Sequence, residues 1–155
     1  MASTTPKQIR ESIESTIESI AVPTDVKAGD SRSFRVASSR YDWTTRPDSD
    51  CDRRFTVRVE PGIVRSFGAY SEQEIEALLV VELGHLPLSS MSETMDRIVA
   101  DCREIRAALE NQSNYPSAVW LIASRSPTMT IQQYPDRKHS MAELTFDVRY
   151  LESKT

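Results

Sequence analysis

Histidine, glycine, cysteine and lysine are all scarce in this chain of 155 residues, and each shortage excludes something. The two histidines, His85 and His139, lie in separate segments with no HxxxH or HExxH neighbour, so a zinc site would have to be assembled from scattered residues. Each reads as a solvated turn residue. The four glycines (Gly29, Gly62, Gly68 and Gly84) make no GxGxxG, Walker A or GxSxG pattern, which removes the usual backbone cradles for phosphate. Cys51 and Cys102 stand far apart with no CxxC spacing, and "MASTTPKQIR" has no apolar stretch of the kind a secretory leader needs. No apolar run approaches the roughly 20 residues that cross a bilayer. The expectation is therefore a reducing cytosol with both thiols free. A single disulfide between them is the alternative. Cys51 has no evident base beside it for a nucleophilic role. Asp48, Asp50 and Asp52 lack the glycine and downstream glutamate of a calcium loop, and read as a solubilising stretch. From these absences the expected protein is not an enzyme, and has no catalytic residue, no cofactor and no metal ligand.

Lysine occurs only at Lys7, Lys27, Lys138 and Lys154, so fifteen of the nineteen basic residues are arginine. Arginine-rich, lysine-poor surfaces are typical of protein contact patches, because the planar guanidinium pairs bidentately and stacks. A GC-rich genome would produce the same bias through its codons. Net charge is −4 and the sequence pI about 5.3, so there is no bulk electrostatic footprint for nucleic acid, and an anionic membrane surface is disfavoured.

What is present is strong patterning. Hydrophobic residues make up 39% and charged residues 27%, enough for one core, and a single domain spanning residues 1–155 is expected, with residues 1–4 loose. Thr5, Pro6 and Gln8 form a capping box with proline at the first helical position, and Ile9, Ile13, Ile17 and Ile20 continue as one stripe. That predicts a first helix ending near Pro23. "SFRVAS" is a short strand candidate. "RRFTVRVEPG" alternates Phe55, Val57 and Val59 with Arg54, Thr56, Arg58 and Glu60, and Pro61-Gly62 predicts a turn at its end. "SEQEIEALLVVELGHLP" carries both helix and strand cues: Ser71 and Glu74 would cap a helix, but the short apolar run with paired valines, stopped by Gly84, favours a central strand. Ser90 and Glu93 open a second, longer helix whose face runs Met95, Ile98, Val99, Cys102, Ile105 and Leu109, which makes Cys102 a core residue. "SAVWLIAS" and "TMTIQQY" are two strand halves broken at Pro127, a mark of an edge or a bulge, and Trp120 between them reads as core. Finally "MAELTFDVRYLES" alternates Ala142, Leu144, Phe146, Val148 and Tyr150 with Glu143, Thr145, Asp147 and Arg149. The expected fold is α+β, a mainly antiparallel sheet packed by an N-terminal helix and one longer central helix.

The segment from Ser38 to Asp52 has no period of either kind and is long for a connection in a compact domain. Its Arg40, Tyr41, Trp43 and Arg46 are of the residue types that anchor protein interfaces. Trp43 folded back as a lid over its own sheet is the favoured alternative for that residue. Arg53 and Arg54 would grip an acidic partner, or else form a solvated strand edge.

Taken in order, the helix "PKQIRESIESTIESI", the strands "RFTVRVEPG" and "EALLVVELGH", the long helix "SETMDRIVADCREIRAALEN", a tryptophan-bearing strand and the closing "MAELTFDVRYLE" resemble the tail-terminator proteins of long-tailed bacteriophages, also called tail completion or minor tail proteins. The resemblance runs from Pro6 to Glu152 and is one of element order and length, with no catalytic or ligand motif to match. It implies a structural virion protein, assembled in the host cytoplasm, that forms a homo-oligomeric ring, usually of six copies. Such a ring caps the tail tube protein, ends its polymerisation and docks onto the neck or head-completion protein, while DNA passes through the lumen without specific binding. On that reading the polar side of the last strand, Glu143, Asp147 and Arg149, faces a neighbouring copy or the lumen. The rival readings are a head-completion or stopper protein of the neck and, from another class, a small cytosolic α+β enzyme or ligand-binding domain.

Overall fold

A computed structural model describes residues 3–21, 33–37, 52–67, 72–88, 90–115, 117–133 and 140–153. The elements in chain order are α1 (Pro6–Glu18), β1 (Arg35–Val36), β2 (Arg54–Val59), β3 (Ile63–Phe67), β4 (Glu72–His85), α2 (Met91–Glu110), a 3-10 turn at Gln112–Asn114, β5 (Val119–Gln133) and β6 (Ser140–Ser153). The protein is α+β, with six strands in a mixed, mostly antiparallel sheet of order β1-β2-β4-β6-β5, and β3 paired to β4.

Local chemistry sets the helices. Thr5 accepts from the Gln8 N–H while Gln8 reaches back to the Thr5 N–H at 3.0 Å, so the capping box forms as its spacing predicts. Ile9, Ile13 and Ile17 are buried on one stripe, each contributing about 1.5–3 kcal/mol of burial. Helix α1 stops at Glu18, capped by Ser19, short of Pro23, which lies outside the described residues. Helix α2 starts where Ser90 accepts from the Glu93 N–H at 3.2 Å. Its inner face differs from the expected one: Val99 is exposed, and Thr94, Arg97 and Asp101 are buried beside Ile98, Cys102, Ile105 and Leu109. Cys102 is a free core thiol that burial pushes up to about 12, which leaves it protonated and inert.

In the sheet, β4 is the central strand, pairing with β6 along its whole length from Glu72↔Ser153 to His85↔Ser140. The strand cues in that segment prevail over the helical ones. Ile75, Ala77, Leu79, Val81 and Leu83 of β4 meet Ala142, Leu144, Phe146, Val148 and Tyr150 of β6 in one core with the stripes of both helices. Pro61-Gly62 does not end its strand in a hairpin. Glu60 still donates to the Leu78 carbonyl at 2.8 Å, and β3 resumes the same track along β4 at Ile63↔Glu76, one residue out of step. The pair is therefore a bulge within one long strand, and β3 is an element the sequence pattern did not predict. Gly62 is needed there by close approach, since a Cβ would sit 2.6 Å from the Glu76 carbonyl oxygen and 2.6 Å from Ile75 Cγ2. β5 behaves as its proline suggests, with a register shift between Ser124 and Met129.

The N-terminus is tied down. Thr4, expected to be loose, is buried, and its N–H donates to the Leu151 carbonyl at 2.8 Å, while the Leu151 N–H donates to Ala118 at 2.9 Å. The last strand thus holds β5 and the start of the chain together, so it does not fray.

Candidate assembly surface

The helices cover one face of the sheet; the other face carries the second set of alternating residues. From β2 and β3 come Thr56, Arg58, Ile63 and Arg65, from β4 Glu74, Glu76, Leu78, Val80 and Glu82, and from β6 Glu143, Thr145, Asp147 and Arg149. Among the described residues no helix packs on this face. Its polar side chains partner one another across the strands. Arg58 bridges Glu82 and also bonds Glu60 at 3.2 Å; Glu76 is shared between Arg65 and Arg149, the latter at 3.2 Å; Arg125 approaches Asp147 at 4.0 Å. The hydrogen bond from Arg65 holds the Glu76 carboxyl below the usual carboxylate range. For Arg58, burial would lower the pKa, but bonds to Glu82 and Glu60 carry it above the ordinary arginine value. The stems of these residues fill the surface: Val80 lies on this face and is only 1% exposed, between Arg58 and Thr145 on the flanking strands.

Two apolar side chains of β3 are exposed, Ile63 on this face and Val64 on the helix side. Ile63 is 62% exposed and Val64 44%, although neighbours on a strand point to opposite faces. On the outer side of β2 and β3 the sheet pairs, among the described residues, only through β1, at Arg35↔Arg54 and Val36↔Phe55. The outer side of β5 pairs with no described strand.

The residues singled out in the sequence have different fates. Arg40, Tyr41, Trp43 and Arg46 lie outside the described residues, as do Cys51 and His139, and so does the side chain of Trp120. Glu143, Asp147 and Arg149 are half-buried on the open face, Glu143 opposite Glu82 and Thr130. Arg54 is half-buried on β2. Arg53 is a correction: it is 0% exposed, its side chain turned inward, and grips no partner at the surface.

Arg53 belongs instead to a sealed charge cluster. Its Nε and Nη2 donate to both oxygens of Asp101 at 2.8 and 3.0 Å, and His85 Nε2 meets Asp101 Oδ2 at 2.8 Å. Beside it Arg97 Nη2 donates to Asp52 Oδ2 at 2.7 Å, and Asp52 Oδ1 accepts from the Leu86 N–H at 3.0 Å. The Phe34 ring lies under the Arg53 guanidinium, 5.9 Å from its centroid. Burial pushes the Asp101 carboxyl up, but hydrogen bonds from His85 and Arg53 outweigh it and hold it below the usual range. The expected solvated roles of His85 and Asp52 are thereby overturned: both are buried, His85 hydrogen-bonded to Asp101 and Asp52 ion-paired to Arg97. Arg53 has φ 55, a left-handed conformation rare for a side chain of this size, and its N–H still donates to Gly84 at 2.8 Å. That twist is what lets two consecutive residues both face α2; regular strand geometry would send them to opposite faces. One signal for the cluster was present in the sequence. Arg97 and Asp101 are four apart and fall between Thr94, Ile98 and Cys102, on the apolar stripe itself.

Among the described residues no group of three or more histidine, cysteine, aspartate or glutamate side chains is placed to hold a metal. Nor, among the described residues, is any helix long and apolar enough to cross a membrane. The chain matches no family model, and no curated protein matches it.

Proposed function

We propose that this chain is a structural subunit of the virion of a long-tailed bacteriophage, a tail terminator whose copies close into a ring on the end of the tail tube. The ring stops tube growth and joins the tail to the neck, and works by shape, with no reaction to run. The observation that carries this reading is the pair of sheet edges that no described strand covers, β3 with the end of β2 on one side and β5 on the other. β2 with β3, β4, β6 and β5 alternate in direction, so the strands at the two sides, β2–β3 and β5, run opposite ways. Copies related by rotation about an axis along the strands bring β5 of one beside β2–β3 of the next in antiparallel sense, the arrangement a strand edge accepts most readily. Contacts between unlike patches close into a ring when the rotation permits. The element order supports the same reading, because it resembles that of tail terminators. An acidic chain is compatible with a conduit that lets DNA slide.

The test is direct. Purified protein added to tail tubes should appear by electron microscopy as a ring at one tube end, and phage lacking the gene should make tubes of uncontrolled length that fail to join heads. Normal tails in the deletion would overturn the proposal.

A further inference from the structure

The charge cluster on α2 is explained neither by ring formation nor by any accessible chemistry. All five of its ionisable side chains are nearly or wholly sealed from water, and the charges are arranged in crossed order. On the loop side the sequence is acid then base, Asp52 then Arg53. On the helix side, one turn apart, it is base then acid, Arg97 then Asp101.

We infer that this crossed pairing is a register lock, which fixes α2 at one height along the sheet and excludes the arrangements one helical turn away. The apolar stripe of α2, Thr94, Ile98, Cys102, Ile105 and Leu109, recurs at nearly turn-by-turn spacing and marks a one-turn slide only weakly. The charges mark it strongly. A slide of four residues one way places Arg97 against Arg53; a slide the other way places Asp101 against Asp52. Either brings like charges together in a site without water, the kind of repulsion that discriminates between alternatives far better than it stabilises any one of them. The rest of the cluster makes the reference points rigid. Arg53 is held by its backbone bonds to Gly84 and Arg35, Asp52 by the Leu86 N–H, and Asp101 by His85 at the end of β4. The exposed side of α2 is thereby presented at a set position relative to the open edges of the sheet.

Two variants separate register from stability. In the first, Arg53→Asp with Asp101→Arg, the loop becomes doubly acidic and the helix doubly basic. Every native pair stays attractive, with His85 able to accept at Nε2 in its other tautomer, but so do the shifted contacts of Arg97 with position 53 and of position 101 with Asp52. In the second, Asp52→Leu, Arg53→Met, Arg97→Met and Asp101→Leu, the charges are gone. Both should keep the parent's helical circular dichroism and melt cooperatively, the apolar one no lower than the parent. In ¹⁵N-labelled full-length protein, both should show doubled or broadened amide resonances confined to α2 and its contacts, where the parent shows one set. A single sharp native set for α2 in either variant would overturn the lock. So would failure of either to fold, since the charges would then be serving stability rather than register.

Discussion

Two populations of ion pairs in this molecule use the same side chains in opposite settings. On the open face, Arg58–Glu82, Arg65–Glu76–Arg149 and Arg125–Asp147 lie at the water boundary, where the partners are solvated in any case and a pair contributes about 0–1 kcal/mol. Under α2, Arg53–Asp101, with His85 hydrogen-bonded to the same carboxylate, and Arg97–Asp52 are nearly or wholly sealed from solvent. There the attraction is large but so is the desolvation it must offset, so the pairs add little net stability while the loss of one partner is severe. Similar distances therefore mean different things. The surface ladder keeps an uncovered sheet face soluble, and the sealed cluster specifies how the layers fit.

The largest expected effect comes from Asp101→Asn. It leaves the Arg53 guanidinium buried without its carboxylate, and urea unfolding should show a loss of about 3–5 kcal/mol. The same residue gives the comparison a pH signature. Asp101 has its folded pKa below the ordinary value, so as pH falls the unfolded chain binds the proton first. Its contribution is complete above about pH 4 and is lost as pH drops from there through the folded value. Asp101→Asn should therefore flatten the acid limb of the stability curve, while Glu76→Gln, on the exposed ladder, should change it only at low salt. Equal flattening by both would erase the distinction between the two populations.

An intermediate effect is expected at Gly62. The bulge it forms lets Arg58 and Arg65 both reach acids on β4, and Gly62→Ala forces a Cβ against backbone that cannot give way. Overpacking of this kind destabilises by about 1–3 kcal/mol, and the β3 amides should exchange faster than those of β2. The effect of Glu76→Gln comes next, and it disappears in high salt.

The architecture was legible in the sequence wherever local signals agreed with the global arrangement. The Thr5 and Ser90 caps, the alternation of β6, the proline break in β5 and the paired valines of β4 each point to one structure, and it forms. The failures have a shared physical cause. Pro61-Gly62 is turn chemistry by composition, but a bulge uses the same residues, and only pairing of Glu60 and Ile63 to a distant strand decides between them. His85, Asp52 and Arg53 read as solvated because burial of a polar or charged group depends on its partner, and their partners lie 16 to 48 positions away in the chain. Even the readable hint, a charged pair on the apolar stripe of α2, says that something buried must answer it without saying what. The open face was half legible: the positions of Glu143, Asp147 and Arg149 on it follow from alternation, while Ile63 sits in a strand that the pattern did not reveal.

The smallest effect on stability should come with the largest effect on assembly. Ile63→Lys with Val64→Lys replaces two side chains that are already in water, at 62% and 44% exposure, on a strand whose outer edge pairs with no described strand. Substitutions at such positions change folding stability within about 0.5 kcal/mol, so melting should be that of the parent. Lysines on an edge strand oppose pairing with another chain, because approach would desolvate both ammonium groups. If β2–β3 of one copy meets β5 of the next, the variant should stay monomeric and leave tube ends uncapped under the electron microscope. Glu76→Gln, a few ångströms away, should still cap them. Capping by the double-lysine variant would move the ring contact off this edge, and loss of capping by both would show that the ladder itself is the contact.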